Sequence, residues 1–185
     1  MTSLLERFLP KTEDRIDRTS AVLVLSTSGA VILGSLVFIL FWIFTASLEE
    51  LATVAAGVVL VIIVFGIMLL VRRGNIRLGL WVLTSLMAIL TLEISREYGV
   101  STLSSAGFVI PIVLAACGAG LWAGLLLALI GSAGMWAIAF ASSTGALQPW
   151  LPYEISNLTF DAPFLTILFF LVAFILGVWR KEMGR

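Results

Sequence analysis

Few residues in this chain have side chains that could do chemistry, and the first to weigh is Glu93. It stands near the end of an apolar run, with Arg96 and Glu97 three and four residues further on. A carboxylate inside a membrane span is costly unless it is paired, hydrated or protonated, so Glu93 is a candidate functional acid for proton or ligand sensing. The plainer reading seats it at the membrane interface beside Arg96 and Glu97. Histidine is absent from the sequence. Imidazole is the usual haem and zinc ligand and a common proton relay, so no metal site is expected and no cofactor is assigned. Bound lipid, carotenoid or quinone stays open. The single cysteine, Cys117, lies in an apolar stretch, where it reads as a small buried residue and can form no internal disulfide. The sequence shows no nucleotide-binding glycine loop, nucleophile elbow, paired metal ligands or nucleic-acid motif. No catalytic residue is therefore assigned, and the chain is read as neither an enzyme nor a partner of nucleic acid.

Small residues form the other recurrent pattern. Gly120, Gly124, Ala128, Gly131 and Gly134 recur at steps of three or four, which sets them along one stripe of a helix. Such a stripe lets a second backbone approach closely, within the chain or from a partner. Pro111 lies inside the preceding apolar run, where its missing N–H should kink a helix unless a neighbour satisfies the freed carbonyl.

The elements that must position these residues follow from hydropathy. Of the 185 residues, 61% are hydrophobic and 12% charged, with a mean hydropathy of +1.14. Soluble domains are about 45–50% apolar, and a chain of this size could not hide so much more, so lipid is the solvent. Apolar runs predict six spans, at about 21–44, 51–71, 76–94, 103–117, 121–141 and 164–179. Gly74 and Asn75 mark a tight turn, and the glycine cluster at 116–120 divides the uncharged stretch between Tyr98 and Tyr153 into two spans. Residues 142–163 have loop composition, with Trp150 and Tyr153 suited to the headgroup layer. The fold class expected is an all-α polytopic bundle, with a juxtamembrane segment over 1–20 and a short tail over 180–185.

Charge sets an expected orientation. With the N-terminus inside, Arg72, Arg73, Arg77, Arg180 and Lys181, together with Arg7, Lys11, Arg15, Arg18 and Arg185, fall on the inner side, and Arg96 alone falls outside. Ten basic residues against one fits an even number of spans with both ends in the cytoplasm. The first twenty residues carry four acidic groups before the first run, unlike a cleaved signal peptide, so the first span is expected to be retained. The charged stretch KTEDRIDR at 11–18 leads into that span, and Leu4, Leu5, Phe8 and Leu9 could dip into lipid ahead of it.

Four stretches carry a resemblance: RFLPKTEDRIDR before the first run, RRGNIRLGLWVL opening the third, AGFVIPIVLAACGAGLWAGLLLALI across the fourth and fifth, and GALQPWLPYE in the last long loop. In this order they resemble the six-helix N-terminal membrane region of bacterial sensor histidine kinases and diguanylate cyclases, of the kind met in Chloroflexi-like bacteria. The resemblance implies a six-helix sensory module. Two departures accompany it. Members of that family usually carry a basic residue in the glycine turn between the fourth and fifth spans, where Leu121 and Trp122 follow Gly120 here. Their membrane region also feeds an output domain, whereas only a few residues follow the last run before Arg185.

Three functions are then weighed. The first is a non-catalytic accessory or scaffold subunit packing against other integral membrane subunits and lipid, with a respiratory or photosynthetic electron-transfer complex as one such setting. The second is a sensory or ligand-binding membrane module whose output is a separate partner. A pocket open to the outside between the fourth and sixth spans, near Glu93 and Pro111, would support it. The third, a small transporter, predicts inverted repeats and broken helices about a midplane site, of which only Pro111 gives a hint.

Overall fold

The computed structural model describes residues 15–45, 51–101, 105–150, 154 and 157–183. The fold is all-α. Six helices follow one another: α1 Arg15–Thr45, α2 Leu51–Arg72, α3 Ile76–Tyr98, α4 Val109–Gly118, α5 Leu121–Ser143 and α6 Ala162–Met183. All but α4 are long and apolar enough to cross a membrane, which makes this a multi-pass membrane protein. Leu4, Leu5, Phe8 and Leu9, the acidic pair Glu49 and Glu50, and Tyr153 lie outside the described residues.

The chain divides into two compact units, residues 1–83 and 84–185, with α3 passing from one into the other. In the first unit, α1 turns Ala21, Val24, Leu25, Ser28 and Ile39 inward, and α2 answers with Val64, Ile67 and Val71. Spacings of three and four residues place each set on one helical face. The link to α3 follows from local chemistry. Gly74 has φ +89°, Asn75 N–H donates to Leu70 C=O at 3.1 Å, and Gly74 N–H donates to Val71 C=O at 2.9 Å. These are the two bonds of a Schellman stop, which satisfies the last carbonyls of α2 and needs a residue without a Cβ at the left-handed position. Gly79 then lets α3 start close beneath α2, because a Cβ there would stand 2.5 Å from Val71 Cγ2.

The second unit is built around Phe108, Ile112 and Ala115 from the α4 region, Leu127, Ala128, Met135 and Ala139 from α5, and Leu165, Phe169 and Ala173 from α6. Lipid is as apolar as these side chains, so the favourable term is close van der Waals contact, with a few hydrogen bonds between helices. The Phe108 and Phe169 rings lie 5.5 Å apart, and Trp136 Nε1 donates to Thr166 Oγ1 at 3.1 Å to tie α5 to α6.

The fourth span was expected over about 103–117, and residues 102–104 lie outside the described residues. Its described helix, α4, has 10 residues, or about 15 Å of rise against a hydrocarbon core of about 30 Å. The chain nevertheless travels from one end of the unit to the other. At one end, Trp150 N–H donates to Glu97 C=O at 2.7 Å and Asn157 Nδ2 donates to Val100 C=O. At the other, Gly120 packs on Arg180. Phe108 meets α5 at Gly131, the eleventh of its 23 residues, so α4 begins near mid-depth. Ahead of α4, Ser105 N–H donates to Ser101 C=O and Phe108 N–H to Ser105 C=O, both at 3.0 Å, and Val100, Ser105 and Phe108 are all buried.

Pro111 explains where α4 starts. It is the third residue of the helix rather than an interior one, so the N–H it lacks would have had no role in the helical ladder. The carbonyl four residues back, on Gly107, accepts Ile110 N–H at 3.1 Å instead. That i→i+3 bond tightens the turn just ahead of Pro111, the residue at which a kink was expected.

Candidate functional site

The last turn of α3 and the segment after α5 meet at one end of the second unit. α3 ends in Arg96, Glu97 and Tyr98, followed by Gly99 at φ +88°, which turns the chain. α5 ends in a run of hydroxyl residues whose side chains fold back on the helix: Ser142 Oγ donates to Ile138 C=O at 2.9 Å and Ser143 Oγ to Phe140 C=O at 2.7 Å. Leu147 N–H reaches Ala141 C=O at 3.1 Å, and the chain then runs past Gln148 to Trp150. The Trp150 N–H bond to Glu97 C=O fastens the two segments, and the Tyr98 and Trp150 rings meet edge to face at 5.7 Å.

Between them lies a cavity of about 570 Å³, lined by Arg96, Glu97, Tyr98, Leu147, Gln148 and Trp150. That size falls within the roughly 300–1,000 Å³ of small-molecule sites. Its lining thus holds a cation, a carboxylate, an amide and two aromatic rings. Among the described residues, no three of Cys, Asp and Glu converge where they could hold a metal ion.

Asn157 braces this end from the other side. Its Nδ2 donates to Val100 C=O and to Asp161 Oδ2 at 3.0 Å, and its Oδ1 accepts Glu154 N–H at 2.7 Å. One amide thereby links the chain after α3 to the π-helical turn Asn157–Asp161 that leads into α6. Beneath, the buried hydroxyls of Ser95 and Ser105 bond to each other at 3.2 Å.

Glu93 lies one turn from the cavity. Its Oε2 accepts Arg96 Nε at 2.7 Å, and both side chains are more than half exposed. An exposed pair of this spacing on a helix contributes at most a few tenths of a kcal/mol, about 0.3–0.5. Glu93 and Arg96 thus form an i,i+3 pair near the end of the candidate span Ile76–Tyr98.

The small-residue stripe of α5 is occupied from within the chain. A Cβ on Gly124 would stand 2.8 Å from Ala116 Cβ, and one on Gly134 would stand 2.6 Å from Leu92 Cδ2. A Cβ on Gly131 would strike the Phe108 ring, and Ala128 is fully buried. Gly120 has φ +110°, and a Cβ there would lie 2.7 Å from Arg180 Nη1. That turn has no basic residue of its own, and α6 lends it Arg180, close to the carbonyl end of α4, where a cation is favourable. Lys181 next to it is exposed, as are Arg72, Arg73 and Arg77 at the turn between α2 and α3.

Several of these residues escaped the sequence reading. Asn157 looked like one more loop residue, although an amide is the side chain able to donate and accept across a chain reversal. Gly177 packs against Leu121, where an added Cβ would stand 2.6 Å from Leu121 Cα, and the small pair Ala173 and Gly177 was the available signal. Nothing in spacing could have paired Tyr98 with Trp150, 52 positions apart. Compared with family models, characterised proteins and solved structures, the chain matches none of them.

Proposed function

We propose that this protein is a non-catalytic integral membrane subunit that packs against other membrane subunits. The observation that carries this reading is on α1. Ser26, Ala30 and Gly34, four residues apart, lie on an exposed face of that helix, and nothing stands within 4 Å of a Cβ built on Gly29 or Gly34. Gly124, Gly131 and Gly134 of α5 are packed inside the chain, whereas this α1 face is open to a neighbour. Close backbone approach at such a face is the main means of helix association in lipid. The bacterial inner membrane, with both ends inside, belongs to the same proposal and rests on the ten-to-one bias of basic residues. An electron-transfer complex is one setting in which a subunit without redox ligands of its own would serve.

The test is purification in mild detergent through an affinity tag, followed by a native gel and mass spectrometry of the chains that co-migrate. Stoichiometric membrane partners, lost from a Gly34→Leu variant whose own melting is unchanged, are the result expected. Purification of the chain by itself, with the same profile for both versions, would overturn the reading.

A second reading, a ligand-binding sensory module, is favoured by the cavity at the end of α3. The six-helix signalling regions resembled by RRGNIRLGLWVL and GALQPWLPYE would have the same arrangement, with output through a separate protein.

A further inference from the structure

We infer that the cavity between the α3 end and the 147–150 segment binds an alkylammonium group. This rests on the second reading, that the cavity receives a ligand, and adds what the ligand is. Three independent features point to a cation. Trp150 is 79% exposed and Tyr98 40% exposed, and both line the cavity, so aromatic faces are available there to a positive group. The edge-to-face contact between the rings, at 87°, sets them as two walls meeting at a corner rather than as one flat stack. Glu97 lines the same space and supplies the opposite charge. The cavity also sits at the carbonyl end of the 23-residue α3, where the helix dipole favours a cation.

Arg96 lines the cavity too, and its Nε is held by Glu93 at 2.7 Å, so the cation nearest the site already has a carboxylate partner. Compact, strongly hydrated ions gain little from aromatic faces. A methylated or alkylated ammonium, large and weakly hydrated, gains most, and the volume of about 570 Å³ leaves room for more than the ammonium alone. Two sources carry that chemistry, a soluble amine such as choline and the headgroup of a choline lipid. For the lipid, Arg96 in the same lining supplies a cation for the phosphate that follows the ammonium.

The test uses the full chain in detergent and three probes: choline, its uncharged carbon isostere 3,3-dimethyl-1-butanol, and nanodiscs of phosphatidylcholine or phosphatidylglycerol. Binding is read by calorimetry for the soluble probes and by native mass spectrometry for retained lipid. Saturable choline binding without binding of the isostere is expected for the soluble source. Retention of phosphatidylcholine over phosphatidylglycerol is expected for the lipid source. In either case Trp150→Ala and Glu97→Gln should weaken binding about three- to thirtyfold, whereas Trp150→Phe keeps most of it. Trp122→Ala, at the other end of α5, should leave it unchanged, and melting curves of each variant report folding separately. Equal binding of choline and the isostere would overturn the ammonium assignment and leave the cavity a ligand site. No binding of any probe would overturn both.

Discussion

Replacing Gly124 by alanine adds one methyl group where α5 crosses α4, and the structure says how little room there is. The new Cβ would sit 2.8 Å from Ala116 Cβ and 3.2 Å from Ala116 Cα. Ordinary carbon contacts lie at about 3.5–4.0 Å, so the helices must separate by about 1 Å. Ala116 has no rotamer through which to yield, because its Cβ is fixed to the backbone. Overpacking of this kind costs about 1–3 kcal/mol, against which alanine recovers up to about 1 kcal/mol of helix propensity over glycine. With the full offset, a net loss of up to about 2 kcal/mol follows. Gly134→Ala is the internal control. There the near atom is Leu92 Cδ2 at 2.6 Å, the far end of a side chain that is only partly buried and can rotate away. The propensity gain then offsets a rotamer change of about 0.5–1.5 kcal/mol, and stability should stay within about 0.5 kcal/mol of the parent. Reversible unfolding of both variants in mixed micelles, followed by circular dichroism, measures the difference. Equal stabilities for Gly124→Ala and the parent, or an equal loss at Gly134, would refute the argument that rigid backbone contact decides the cost.

Asn157→Ala removes both donors and the acceptor that brace the start of α6 and strands the Val100 carbonyl, so it should cost about 1–3 kcal/mol in the same unfolding assay. Asn157→Asp should fail similarly, because a carboxylate has no N–H to give. Gly120→Ala forces a Cβ into φ +110° as well as against Arg180; an Arg180→Ala background should relieve the contact and leave the backbone strain of about 1–3 kcal/mol. Ser132 Oγ is buried with no hydrogen-bond partner, so Ser132→Ala should raise stability by about 1 kcal/mol, and a loss instead would show that the hydroxyl has a partner after all.

Composition and patterning determined that this is an all-α, multi-pass membrane protein, because an apolar run of 20 residues has no soluble alternative. The Gly74–Asn75 turn was equally legible, since a left-handed helix stop calls for glycine whatever surrounds it. The positions of Gly124, Gly131 and Gly134 on one stripe also followed from helical periodicity alone. Which neighbours fill that stripe did not. Ala116, Phe108 and Leu92 come from three different parts of the chain, and their meeting depends on how helices pack, which no local spacing encodes. Glu93 read as a candidate acid because hydropathy places it near the end of a span. Its depth and its partner Arg96 were set by where α3 ends. The meeting of Tyr98 with Trp150, and with it the cavity, was decided by tertiary structure alone, through the hydrogen bond from Trp150 N–H to Glu97 C=O that folds one loop onto the end of a distant helix.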